Sequence, residues 1–136
     1  MSSNPQNTKL PQVINWFEIP VGDIGRASKL YEAMLDTKLA RETFMDVPHA
    51  LLTNADHSCV GGALVSDPKR PPKRGTGTLL FFNATDGVDR CLSRAVEAGA
   101  KVVQPATAIG PHGTIALVED LDGNVIGLHE NPKSPA

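Results

Sequence analysis

The stretch I-N-W-F-E-I-P-V-G-D, Ile14 to Asp23, decides how the whole chain is read. If Ile14 to Val21 is a strand, alternate side chains point to opposite faces, so Trp16 and Glu18 share one side while Phe17 and Ile19 share the other. One face is apolar and suits a helix layer. The other pairs a large aromatic ring with a carboxylate, which suits a pocket wall.

The pattern that begins with this strand recurs later in the chain. Gly22-Asp23 supplies a turn and an N-cap, and Ala27, Leu30, Tyr31, Met34 and Leu35 have the spacing of one helix face. T-L-L-F-F-N-A reads as a second strand of this kind, Thr85-Asp86-Gly87 as a turn, and Val88, Cys91, Leu92, Ala95 and Val96 as a second helix face ending at Gly99. Three features repeat at one interval: Asp23 to Asp86 (86 − 23 = 63), Lys38 to Lys101, and Pro48-His49 to Pro111-His112. Short strand-like runs come after each helix. They are Leu39 to Phe44, Ala50 to Asn54 and Cys59 to Val65 in the first half, and Lys101 to Pro105, Thr114 to Glu119 and Val125 to Glu130 in the second. The fold class expected is α+β: two tandem β-α-β-β-β modules whose sheets curl around a shared cleft, with the helices outside. Residues 12–136 form one domain, with module one at 12–66, a Pro- and Gly-rich linker at 67–77 and module two at 78–130; residues 1–11 read as a flexible tail.

Composition narrows the functional classes. The chain has 136 residues, is 40% hydrophobic and carries a formal charge of -2, so it lacks the basic field that a nucleic-acid or anionic-lipid partner requires. Lys69, Arg70, Lys73 and Arg74 form the one basic cluster and, set among prolines, read as a solvated loop. Cys59 and Cys91 read as two reduced, buried thiols. No run approaches the ~18 apolar residues that span a bilayer, and the first residues have no secretory pattern, so a cytoplasmic location is expected. Neither a phosphate-binding glycine loop nor a G-x-S-x-G nucleophile turn occurs.

The paired modules, the run W-F-E-I-P-V-x-D-I-x-R-A-x-x-x-Y-E, the helix end E-A-G-A-K-V and D-L-D-G-N-V-I-G-L-H-E resemble the vicinal oxygen chelate superfamily, which includes glyoxalase I, bleomycin-resistance proteins and extradiol dioxygenases. The resemblance covers about Pro11 to Glu130. It implies fold more firmly than activity, because this scaffold supports many reactions. In the metal-using members a histidine and a glutamate from each module hold the ion. The corresponding positions here are Trp16, Leu79, a residue near Gly62, and Gly127, and none carries a suitable donor. The resemblance therefore implies a member without the usual metal ligands, and no cofactor is expected.

What lines the cleft is then the question. Trp16, Gly62, Leu79, Phe81, His112 and Gly127 are the candidate ligand-binding residues, although Trp16 could equally be core. Glu18 and His129 fall on the same strand faces as Trp16 and Gly127. They form a candidate catalytic pair if burial raises the Glu18 pKa, or a plain hydrogen-bonded pair if it does not. His49 and His112 each follow a proline at the entry to a strand, and His57 reads as a surface residue. The loop Ala108 to Gly113 reads either as a gate over the cleft mouth or as a simple turn. Three functional classes remain. The first is a metal-independent binder of a small aromatic or amphipathic molecule. The second is an atypical lyase, isomerase or dioxygenase-like enzyme using Glu18 and His129 or a metal site of another kind. The third is an interaction module whose cleft is closed. A homodimer is expected from the resemblance and from exposed sheet edges.

Overall fold

The computed structural model describes Ile14, residues 16–54, Asp56, residues 58–75 and residues 77–133. The expected tail at 1–11 and the surface reading of His57 lie outside these residues. The order is β1 (Trp16–Pro20), α1 (Ile24–Leu35), β2 (Ala40–Phe44), β3 (Val47–Leu52), β4 (Gly61–Val65), β5 (Leu80–Asn83), α2 (Val88–Glu97), β6 (Lys101–Ala108), β7 (Thr114–Glu119) and β8 (Val125–Glu130), with a 3-10 turn at Gly110–His112. Two four-stranded sheets result, ordered β1-β4-β3-β2 and β5-β8-β7-β6. In each, the first strand lies parallel to the last, because the helix carries the chain across the sheet before three strands return as a meander. The α+β class and the tandem modules are those read from the sequence.

Local chemistry explains the helices. The Asp23 carboxylate accepts the Arg26 N–H at 2.9 Å and starts α1. Gly87, at the start of α2, has no side chain to offer, so Glu130 reaches in from β8 and accepts the Val88 N–H at 2.8 Å. α1 packs on β3 and β4, α2 packs on β6, β7 and β8, and the two helices touch each other. Their buried faces join Ile19, Leu30, Tyr31, Met34, Leu64, Val88, Val118 and Leu128 in one core.

A few polar bonds fasten module to module. Tyr31, fully buried, donates to Asp120 at 2.7 Å, and Asn124 donates both to Asp120 and to the Pro20 carbonyl at 2.9 Å. The Gly22 N–H reaches Asp122 at 2.8 Å. Arg94 of α2 donates to the Ala33 and Met34 carbonyls at the end of α1, where a cation also meets the negative end of the helix dipole, and pairs with Asp86 at 2.7 Å. Burial pushes the Tyr31 hydroxyl pKa well up, as does the neighbouring Asp120 charge, so the phenol stays a donor.

Three sequence expectations change. β2 and β3 form a tight hairpin through Met45 and Asp46, both left-handed (φ 50° and 65°), so His49 lies inside β3 opposite Glu42, not at its entry. Register also separates His49 from His112. Ala50 pairs with Leu64 as Ala116 pairs with Leu128, an offset of 66, so the counterpart of His49 is Ile115, while His112 ends the 3-10 turn. Cys91 is buried as expected, but Cys59 is exposed. Among the described residues no helix is long and apolar enough to cross a membrane.

Candidate functional site

The two faces of β1 separate as the alternation predicts. Ile19 is 3% exposed against the helices, whereas Trp16 on the other face is 43% exposed. Pairing then fixes which residues of β4 stand beside them. Phe17 is opposite Gly62 and Glu18 is opposite Ala63, so Gly62 lies on the helix side. A Cβ built on Gly62 would meet the Phe17 carbonyl and come within 2.6 Å of the Phe17 ring. Gly62 is therefore not a lining residue of the Trp16 face; the run G-G-A-L-V is buried throughout and offers no alternation from which to phase it.

In the second module Phe81, 63 residues after Glu18, pairs with Gly127 as Glu18 pairs with Ala63. The position matching Gly127 is thus Ala63. The four family metal positions are Trp16, Ala63, Leu79 and Gly127, and indole, methyl, isobutyl and hydrogen supply no ligand lone pair. The donor set does not fit the metal that the superfamily resemblance implies. Among the described residues no three His, Cys, Asp or Glu side chains converge as a cation site would need.

Glu18 is held by several partners. Its carboxylate accepts from Trp16 Nε1 at 3.2 Å and from Arg70 at 2.8 Å, with His49 Nε2 at 3.9 Å. Burial alone would push this carboxyl pKa up, but the Arg70 and Trp16 hydrogen bonds and the Arg70 charge outweigh it and hold the group below its ordinary range. The expectation of a raised Glu18 pKa is thereby reversed. Arg70, read as part of a solvated basic loop, arrives 52 residues later in the chain, presented by a turn in which Asp67 accepts the Lys69 N–H and pairs with Arg70 Nε at 3.5 Å.

Glu18 and His129 stand on different sheets and line separate depressions, so they do not form an acid–base pair. His129 Nε2 donates to the His112 carbonyl at 2.7 Å, which ties the loop before β7 to β8. The widest depression, about 730 Å³, lies beside His129 at the start of α2. Its polar groups are already engaged: Val88 N–H by Glu130, and Asp86 by Arg94.

Two apolar grooves flank the region where β1 meets β5. The first, about 440 Å³, runs from Trp16, Glu18 and Pro20 past Pro71 to Leu80 and Ile126. The second, about 510 Å³, runs from Phe81 and Asn83 to Phe17, Leu39 and Leu52. Leu79 and Phe81 are 43% and 48% exposed, and the ring of Phe81 lies over Gly127. Trp16, Leu79 and Phe81 thus do not close on one another, and the candidate residues divide between two surfaces.

The comparisons agree with this architecture. No curated protein matches the chain. A glyoxalase-related enzyme from Fulvimarina pelagi superposes with a TM-score of 0.67 at 20% identity, over 93% of this chain and 92% of that one. A glyoxylase/bleomycin resistance protein/dioxygenase domain from Frankia sp. EAN1pec gives a TM-score of 0.69 at 18% identity, over 90% and 100%. TnmS3, an antibiotic binding protein from Streptomyces sp. CB03234, gives 0.63 at 29% identity, over 90% and 98%. The model of the Glyoxalase/Bleomycin resistance protein/Dioxygenase superfamily matches residues 13–128, and the chain belongs to that superfamily.

Proposed function

We propose that this chain binds a small, flat, amphipathic organic molecule in the groove at Trp16, without the metal centre used by metal-dependent members of its superfamily. The observation that carries the reading is the indole itself: it is tethered through Nε1 to Glu18 yet remains 43% exposed beside a groove of about 440 Å³. A tethered ring with a bare face is a preorganised stacking surface, and the groove volume is that of a ligand site. Glu18 already neutralises Arg70, so a neutral aromatic with polar edges suits the site better than a cation. The 29% identity to an antibiotic binding protein supports the same reading.

The bare sheet faces also favour a homodimer, in which a second copy covers Trp16 on one side and Phe81 on the other. Sedimentation of the purified chain measures this directly, and a monomer at high concentration refutes it.

Trp16 is the single tryptophan, so its emission reports on the groove. Titration with neutral planar aromatics should shift that emission and raise the melting temperature. Trp16→Ala should reduce affinity by about tenfold or more, the scale of a lost aromatic contact. Failure of every aromatic tried, up to millimolar concentration, to stabilise the chain would defeat the proposal, and stoichiometric transition metal in the purified protein would defeat its metal-free part.

A further inference from the structure

We propose that the second groove is a separate small-molecule site, selective for a planar aromatic carrying an anionic end such as a carboxylate. It is the duplicate of the first, produced by the repeat: Glu18 and Pro20 of the first wall correspond, 63 residues on, to Phe81 and Asn83 of the second. Duplication has kept the concavity while exchanging its chemistry. The carboxylate position carries a phenyl ring, and the base is formed by Phe17 and Phe82 packed edge to face, with ring centres 5.9 Å apart at 69°. A planar ring entering between Phe81 and this pair would have aromatic contacts on more than one side.

The charge of the ligand follows from the rim. Lys38 is the one charged side chain among the described residues lining the groove, it is exposed, and it makes no ion pair with any of them. The nearby Glu32 lies outside the lining and already accepts the Leu39 N–H at 2.9 Å. Thr37 and Asn54 add hydrogen-bonding groups at the same rim, so an apolar floor faces one cation with no competing carboxylate. The first groove differs in this respect, since Glu18 and Lys73 both line it.

The test is calorimetric titration of the full chain with 1-naphthoate, 1-naphthalenemethanol and 1-naphthylmethylammonium. Naphthoate should bind best. Lys38→Glu should weaken naphthoate about tenfold and the alcohol little, Phe81→Ala should weaken both, and Trp16→Ala should change neither. Lys38 and Phe81 are exposed, so these variants retain the fold. The proposal is overturned if naphthoate fails to bind at millimolar concentration, if the cation binds as well as the anion, or if binding is lost in Trp16→Ala and kept in Phe81→Ala. The last result would place the ligand in the first groove and leave the function proposed for that groove standing.

Discussion

The two grooves are one design executed twice, and they differ most where Glu18 faces Phe81. In the first module the carboxylate recruits an arginine from the linker and pins the indole, so the wall is polar, charged and tethered. In the second the same position holds a phenyl ring lying over a glycine, and the wall is apolar and free to move. A duplicated fold thus keeps backbone geometry where the core demands it and lets the uncovered faces diverge.

The sharpest way to probe this contrast is one substitution made in both modules. Gly62→Ala pushes a methyl group against the Phe17 backbone and ring on the helix side, and should cost about 1–3 kcal/mol in urea unfolding. Gly127→Ala meets only the exposed Phe81 ring, which can swing away, and should cost less than about 1 kcal/mol while reshaping the second face. Equal costs would mean that the two glycines do not stand on opposite sides of their sheets.

Next in size is the joint shared by both modules. Tyr31→Phe removes one donor to Asp120, which keeps Asn124, and should lower stability by roughly 1–2 kcal/mol by the same measurement.

The tether in the first groove gives a pH signature that the second lacks. The Glu18 pKa is lowered in the folded chain, so its contribution is fully present above the unfolded value and is lost as pH falls through the folded one. Trp16 emission should therefore change as the solution is acidified through and below the ordinary carboxylate range, and Glu18→Gln should flatten that change. The smallest effect belongs to the hairpin. Replacing Met45-Asp46 by Asn-Gly, the pair that adopts left-handed turns readily, should raise stability by up to about 1 kcal/mol in thermal melts.

How far the residues foretold these features depends on the range of the signal. The phase of β1, the Asp23 cap and the faces of both helices were legible because alternation, helical spacing and capping act within a few residues. The Gly62 side was not, since β4 is buried along its whole length and carries no alternation. The Met45-Asp46 turn escaped notice because neither residue is a usual left-handed former. Pro48-His49 and Pro111-His112 matched at the repeat interval by coincidence, since the offset between modules grows from 63 at the first strand to 66 at β3 and β7. Arg70 could not be assigned to Glu18 from the chain alone, as nothing local links residues 52 positions apart.

One consequence reaches past ligands. The bonds from Arg94 to the end of α1, from Tyr31 to Asp120 and from Asn124 to Pro20 pass between the halves without using the peptide that connects them. Severing that peptide between Gly77 and Thr78 should leave two fragments that stay associated and travel as one species until denatured, and each half, expressed alone, should find the other. The covalent thread sets the order of the pieces, whereas their cohesion lies elsewhere.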